Sequence, residues 1–141
     1  TDGASSNNDL DMFGEMRSCA LLAKGVAQRA DAAPAATVLG MATLNGAKAL
    51  GLGDRIGSLV TGKEADVICV DLSAAATQPV YDPVSQLVYA TSRDQVSDVW
   101  VAGRQLLADH QPLVADAPAI LARAESWRAR LSAARGSVAH D

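Results

Sequence analysis

The side chains that could carry catalysis or bind a metal are few and far apart in this sequence. Histidine occurs only as His110 and His140, and cysteine only as Cys19 and Cys69. Neither pair has the close spacing that places two ligands on one zinc ion, as a self-contained zinc site requires. We expect both cysteines to be small core residues of a protein in a reducing, cytoplasmic compartment. His110 is predicted to lie in a solvated turn after a strand, and His140 in the tail.

Asp2 is the carboxylate whose surroundings favour a role in chemistry. It precedes a run of small and polar residues, Gly3-Ala4-Ser5-Ser6-Asn7-Asn8, and then the start of a predicted helix. A residue in this place lies at the carboxyl end of whichever strand precedes the loop. In a (β/α)8 barrel that end is the catalytic face. By spacing alone, the alternative that Asp2 only forms a turn or a cap stays open.

The segment from Gly57 to Lys63 has the spacing of a phosphate-binding loop, but we interpret it as a turn. Glu64 stands where such a loop needs a serine or threonine for Mg²⁺. The predicted order is also wrong, because phosphate binding requires a strand, the loop and then a helix N-terminus. Within this segment, Leu59 and Val60 are predicted to form a short buried β segment.

The composition is typical of one globular domain and excludes several classes of partner. The chain has 141 residues, of which 49% are hydrophobic and 20% charged. A net charge of −4 disfavours nucleic acid, and no apolar run reaches the ~18 residues of a membrane span. The chain opens without a methionine on a polar run, which leads us to expect a piece of a longer protein.

Hydrophobic periodicity predicts two helices, then a few short strands, then a last helix. The first helix, over residues 9–30, is predicted to be capped by Asn8 and to carry two apolar stripes, so that it is contacted on two sides. The first stripe consists of Leu10, Phe13, Met16 and Ala20. The second consists of Met12, Cys19, Leu22 and Val26. The second helix begins near Pro34, is broken or bent at Asn45-Gly46 and reaches Leu50.

The strands are predicted in the second half of the chain. Asp66–Asp71 indicates a buried strand, and Gln86–Ala90 a short strand or a helical turn. Val96–Ala102 and Gln105–Ala108 are predicted to form a hairpin linked by Gly103-Arg104. Because an isolated sheet of so few strands leaves edges and a face open, we expect partner strands from outside the chain.

The last helix is predicted to be capped by Asp116 and to be followed by a frayed tail over 136–141. Its apolar stripe consists of Ile120, Leu121, Ala124, Trp127 and Leu131. Trp100 and Trp127 are both predicted to be core residues, because single large apolar side chains are seldom substrate platforms.

Four segments resemble, in the right order, parts of the metal-dependent amidohydrolase superfamily. Thr1–Arg17, with its Asp-Gly-Ala-Ser-Ser-Asn-Asn run, is similar to the last barrel strand and following helix of the branch with methylthioadenosine/adenosylhomocysteine deaminases and triazine-type chlorohydrolases. Ala42–Leu52 resembles the segment that leaves the barrel. Ile56–Leu59 with Gly62–Val67 resembles the start of a small β-sandwich, and Val99–Arg104 its late hairpin.

The resemblance implies an α/β fold in which this chain is the C-terminal end of a (β/α)8 TIM barrel with part of a composite β-sandwich. Residues 1–56 would be the last strand end and helices of the barrel, 57–115 the C-terminal sandwich strands, and 116–141 the C-terminal helix and tail. The family's early His-x-His pair, later ligand histidines and catalytic glutamate have no match here. They are expected upstream, in the N-terminal portion of the same protein.

The same resemblance implies one divalent metal, with Zn²⁺ the leading candidate, and Asp2 as both metal ligand and catalytic base. The metal would lower the pKa of a water, and the carboxylate would take its proton during attack on a ring carbon. Ser5, Ser6 and Asn7 would lie at the rim, where they contact substrate or merely cap the helix.

The leading function is therefore hydrolytic deamination of the adenine ring of 5′-methylthioadenosine or S-adenosylhomocysteine by the complete protein. We expect the complete protein to be a homo-oligomer and this chain to be inactive alone. A deaminase or chlorohydrolase acting on triazines, guanine or another heteroaromatic ring is the alternative within the class. A non-catalytic α+β module, in which Asp2 is only a cap, is the alternative from another class.

Overall fold

The structure is a computed structural model that describes residues 1–138, with side chains described as far as Ala134. Its helices are α1 (Met12–Ala27), α2 (Ala35–Gly40), α3 (Gly46–Ala49), α4 (Pro83–Tyr89) and α5 (Ala117–Val138). Its strands are β1 (Val67–Val70), β2 (Val96–Val101), β3 (Arg104–Ala108) and β4 (Gln111–Pro112). The order of helices, short strands and a final helix is as predicted.

Helix α1 begins later than the sequence indicates, because its cap is Asp11 and not Asn8. The Asp11 Oδ1 atom accepts a hydrogen bond of 2.9 Å from the Phe13 N–H. Leu10 has a φ of 50°, a left-handed conformation that a continuous helix cannot contain. The predicted bounds of 9–30 are thus wrong at both ends, since Gln28, with a φ of 50°, also lies in the left-handed region.

Only one of the two predicted stripes of α1 is buried among the described residues. Phe13, Met16 and Ala20 join α2 and α4 in one apolar core, whereas Leu10 is exposed because it lies in the preceding loop. The remaining buried core residues are Ala35, Val38 and Val88. The second stripe, which includes Cys19, is exposed, so the prediction of Cys19 as a core residue is wrong.

The predicted break at Asn45-Gly46 is absent, because both residues keep right-handed helical φ and ψ and the π-helical segment Met41–Asn45 continues directly into α3. Two further predictions concern the loop after α3. The Lys63 Nζ atom donates to the carbonyl oxygens of Gly53 and Ile56, and no helix follows it, which confirms the turn interpretation. Leu59 and Val60 are 81% and 60% exposed and outside any strand, so the predicted buried β segment is absent there.

The ambiguous segment before β2 is a helix. Asp82 caps α4, since its carboxylate accepts from the N–H groups of Val84 and Ser85, and Pro83 occupies the first turn. A proline at that position costs no helical hydrogen bond. Of the two readings of Gln86–Ala90, the helical one is therefore correct, and Val88 anchors the helix in the core with no exposed surface.

The four strands form one antiparallel sheet in the order β1-β2-β3-β4. Val67 pairs with Trp100, and Val99 pairs with Leu107. The β2–β3 link is Ala102-Gly103, one residue earlier than predicted, with φ values of 49° and 77°. Two successive positive φ angles are typical of the tight hairpin turn that matches strand twist.

The sheet is open at β1 and β4 within the described residues. Val70 and Val96 pack against the helical core. Cys69 is exposed on the edge strand, and Trp100 is only half-buried. The predictions of Cys69 and Trp100 as core residues are wrong, since neither belongs to the buried core of the described residues.

Helix α5 starts as predicted, with the Asp116 Oδ1 atom accepting from the Ala119 N–H at 3.0 Å. Every side chain over residues 117–134 is exposed, and Trp127 is 54% exposed, so its prediction as a core residue is wrong. The predicted frayed tail is helical as far as Val138, and 139–141, with His140, lie outside the described residues. Within residues 1–138 no helix is long and apolar enough to cross a bilayer.

Candidate functional site

Asp2 lies exposed at the start of the loop that leads into α1. Its Oδ1 atom accepts a hydrogen bond of 2.7 Å from the Gly3 N–H, and its φ is 58°. Aspartate adopts this left-handed conformation more readily than most residues. Its Oδ2 atom accepts no hydrogen bond from the residues described, so one carboxylate oxygen is free to meet a cation or a water.

Residues 3–7 form a tight turn directly after Asp2. The Gly3 carbonyl oxygen accepts hydrogen bonds from the Ser6 N–H at 2.9 Å and the Asn7 N–H at 3.0 Å. Ser5 and Ser6 are exposed, and neither hydroxyl bonds to another residue within 1–134. The alternative that these serines cap the helix is wrong, because Asp11 does so.

The amide of Asn7 connects this turn to α1. Its Nδ2 atom donates to the Glu15 Oε1 atom at 2.6 Å, and its Oδ1 atom accepts from the Asp9 N–H at 3.0 Å. Both functional groups of the amide are therefore engaged in shaping the loop. Glu15 was not predicted to take part, although its spacing of one helical turn from Asp11 indicates the first turn of the helix.

Two arginines connect this region with the segment before β2, and sequence reasoning missed both. Arg93 forms an ion pair with Asp9, with 2.6 Å between Nη1 and Oδ1, and the same nitrogen donates to the Asp9 carbonyl oxygen. The Arg17 Nη2 atom donates to the Thr91 carbonyl oxygen at 2.8 Å. These contacts join residues 84 and 74 positions apart, for which no local pattern gives a signal.

The other candidate ligands are not brought to Asp2. His110 is exposed in the β3–β4 turn, where its backbone N–H donates to the Ser97 carbonyl oxygen at 2.9 Å. Cys19 and Cys69 are exposed on α1 and β1. Over the described part of the chain, no group of three His, Cys, Asp or Glu side chains could hold a metal ion. By themselves the described residues thus offer fewer than the three protein ligands that a catalytic zinc site generally needs.

Comparison with known proteins places the sequence among hydrolases. Residues 1–106 match the Amidohydrolase family. The chain is 50% identical over 135 residues to a 5-methylthioadenosine/S-adenosylhomocysteine deaminase from Teredinibacter turnerae, and 44% identical over 137 residues to one from Saccharophagus degradans. These matches cover 96% and 97% of this chain but 30% and 31% of the relatives, so the chain spans about a third of their length.

Solved structures agree with this relationship. An adenosine deaminase from Xanthomonas campestris with bound zinc matches at a TM-score of 0.90 and 54% identity, over 93% of this chain and 30% of that one. An atrazine chlorohydrolase from Arthrobacter aurescens complexed with zinc matches at a TM-score of 0.78 and 30% identity, over 88% of this chain and 28% of that one. With its described helices and small antiparallel sheet matching such enzymes, the chain belongs to the amidohydrolase family.

Proposed function

We propose that this chain is the C-terminal portion of a metal-dependent deaminase that acts on the adenine ring of 5′-methylthioadenosine or S-adenosylhomocysteine. The observation that carries the proposal is the 50% identity, over 96% of the chain, to a protein named for that activity. Identity to the atrazine chlorohydrolase is 30%, which makes triazine chemistry the weaker alternative. Guanine and other heteroaromatic rings remain alternatives for the same chemistry.

The proposed division of the chain is that residues 1–56 complete a TIM barrel, 57–115 complete a β-sandwich and 116–141 form a C-terminal helix and tail. Two features support it. The second apolar stripe of α1 is exposed, and the described sheet is open at β1 and β4. Exposed apolar faces and free strand edges are costly in water, so elements from the N-terminal portion are expected to cover them.

Asp2 is proposed as the metal ligand that this chain contributes. Its free Oδ2 atom and its exposed position fit a hard or borderline cation such as Zn²⁺, which carboxylate oxygens bind. A zinc ion bound there would supply Lewis acidity and a water of lowered pKa. The remaining ligands are proposed to come from the N-terminal portion, because the described residues hold no group of three His, Cys, Asp or Glu side chains that could bind a metal.

In the proposed reaction, the oxygen of water adds to the ring carbon that carries the amino group. The Asp2 carboxylate accepts one proton of that water and returns it to the amino group, so that the C–N bond breaks and ammonia leaves. The second water proton moves to the neighbouring ring nitrogen as the ring carbon becomes a carbonyl, a transfer proposed to be shared by groups of the N-terminal portion. Ser5 and Ser6 have free hydroxyls at the loop surface and are proposed to contact the substrate. Asn7 is proposed to contact it too, with a smaller effect, because its amide is already engaged by Asp9 and Glu15.

The complete protein is further proposed to be a cytoplasmic homo-oligomer. The unpaired, exposed Cys19 and Cys69 suit a reducing compartment. The exposed apolar residues of α5, among them Ile120, Trp127 and Leu131, suit a surface that another subunit or the N-terminal portion covers.

The test is a substrate panel on the complete protein loaded with zinc. Ammonia release is measured for 5′-methylthioadenosine, S-adenosylhomocysteine and guanine, and chloride release for a chlorotriazine. The proposal expects the highest kcat/KM with the two adenine compounds. Higher kcat/KM with guanine or the triazine would favour that alternative, and no turnover with any of them would favour a non-catalytic module.

A further inference from the structure

We propose that Arg93 is a positioning residue that holds the loop after Asp2, an inference that rests on the proposed role of Asp2. The Arg93 Nη1 atom contacts Asp9 twice, at the Oδ1 atom at 2.6 Å and at the carbonyl oxygen. One nitrogen thereby fixes both the side chain and the backbone of Asp9. This residue ends the exposed loop that begins at Asp2, before Leu10 and Asp11 lead into α1.

The backbone of Arg93 is itself firmly held. Arg93 opens a single 3₁₀ turn, Arg93–Gln95, in which the Ser92 N–H donates to the Gln95 Oε1 atom at 3.0 Å. Two hydrogen bonds of 2.8 Å then join Gln95 and Asp71. The Asp71 N–H donates to the Gln95 carbonyl oxygen, and the Gln95 Nε2 atom donates to the Asp71 carbonyl oxygen. The arginine thus projects from a turn that is tied to the sheet.

Thr91, two residues before Arg93, ties this turn to the helical core as well. Thr91 has no exposed surface, and its carbonyl oxygen accepts the 2.8 Å hydrogen bond from Arg17 on α1. Its hydroxyl donates to the Gln86 carbonyl oxygen at 3.0 Å. Arg93 is consequently a fixed point from which the otherwise exposed loop can be held in place.

On the loop side, the anchors are few. Asn7 is tied to Glu15, and Asp9 is tied to Arg93. Within residues 1–134, the side chains of Ala4, Ser5 and Ser6 are exposed and make no such tie. Removing Arg93 is therefore expected to release the Asp9 end of the loop. Misplacement of a catalytic group by about 1 Å can cost 10²-fold in rate.

The experiment compares Arg93→Ala with the wild-type complete protein. Hydrogen exchange by mass spectrometry is expected to rise at residues 3–10 and to stay unchanged in α1 and α4. The kcat for deamination is expected to fall about 10- to 100-fold, with a smaller change in KM. An exposed ion pair adds little to global stability, so the variant is expected to fold and to keep its thermal midpoint.

Two further variants separate positioning from loss of charge. Arg93→Lys is expected to retain most of the kcat, because one nitrogen makes both contacts and an ammonium can replace it. Arg29→Ala is the matched control, since it removes an exposed arginine paired with Asp31 at 2.7 Å, away from the loop. It is expected to change neither loop exchange nor kcat.

The outcomes distinguish this inference from the proposed function. Wild-type exchange at residues 3–10 in Arg93→Ala overturns the inference, whatever the enzyme turns over. So does a general rise in exchange through α1 and α4, which would show a merely structural role. If the loop is released while Asp2→Asn keeps full activity, the proposed role of Asp2 fails and the positioning of the loop stands.

Discussion

Arg17 on α1 and Thr91 after α4 are joined by a hydrogen bond of 2.8 Å, from Nη2 to the carbonyl oxygen. The Nε atom of Arg17 is buried and has no hydrogen-bond partner among the described residues. The Arg17 guanidinium is therefore held through its Nη2 atom, by the carbonyl oxygen of Thr91. The contact connects the helix that follows the candidate site with the segment that leads into the sheet.

The cap of α1 can be tested by two alanine substitutions. Asp11→Ala is expected to lower the free energy of unfolding by about 1 kcal/mol, because the Phe13 N–H loses its acceptor. Asn8→Ala is expected to have almost no effect, since Asn8 is exposed and precedes the cap. Urea unfolding of both variants gives the comparison. A larger loss for Asn8→Ala would place the start of the helix where the sequence indicated.

Gly57 packs against the junction between the π-helical segment Met41–Asn45 and α3. A Cβ atom there would lie 2.7 Å from the Ala47 Cβ atom and 3.0 Å from the Leu44 Cα atom, at a φ of 87°. Gly57→Ala is expected to lose roughly 2–4 kcal/mol of unfolding free energy, from the strained φ and from overpacking.

Gly62→Ala is the matched control for that substitution. Gly62 has a φ of 95°, but a Cβ atom there would meet nothing within 4 Å. We expect a loss of about 1 kcal/mol from the backbone alone. Equal losses for the two variants, measured by thermal unfolding, would contradict the close packing of Gly57.

The cap of α4 predicts a dependence of stability on pH. Hydrogen bonds from the Ser85 hydroxyl, then from the Ser85 and Val84 N–H groups, hold the pKa of Asp82 below its ordinary value. A carboxyl group whose pKa is lower in the folded state stabilises the fold above its unfolded pKa of about 3.9. This contribution is lost as the pH falls through the lowered pKa.

Unfolding midpoints of the wild type and Asp82→Asn between pH 2 and 7 measure that contribution. The wild type is expected to be more stable by a constant margin at neutral pH, and the margin is expected to shrink in acid. Asn keeps an acceptor for the cap but cannot titrate, which isolates the charge. A margin that grows as the pH falls would contradict the assignment.

The sequence predicts local features of this fold better than contacts between distant segments. The Asp116 cap follows from a signal within one helical turn and is confirmed. Burial was misjudged at Cys19 and Trp127, because an apolar stripe shows which face of a helix is hydrophobic but does not show which element packs against it. At the candidate site, the Asp2 loop has a sequence signature, whereas the contact of Arg93 with Asp9 has none.

The isolated 141-residue chain is expected to bind no zinc stoichiometrically at micromolar concentration and to release no ammonia from 5′-methylthioadenosine. A catalytic zinc site generally needs three protein ligands, and the described residues hold no such group. Isothermal titration with zinc is the measurement, with circular dichroism to show that the helices are formed. Stoichiometric binding by the folded chain would mean that a site lies within it.

The central claim is that Asp2 binds the catalytic metal, and Asp2→Asn in the complete protein tests it most directly. Zinc content by atomic emission and deamination rate are measured on the same preparations, with the exposed Asp54→Asn as the matched control. We predict a loss of zinc or of its tight binding and a fall in kcat of about 10³-fold or more for Asp2→Asn, with an unchanged thermal midpoint for the metal-free protein. The control is predicted to match the wild type. Full zinc content and near-wild-type turnover in Asp2→Asn would contradict the claim.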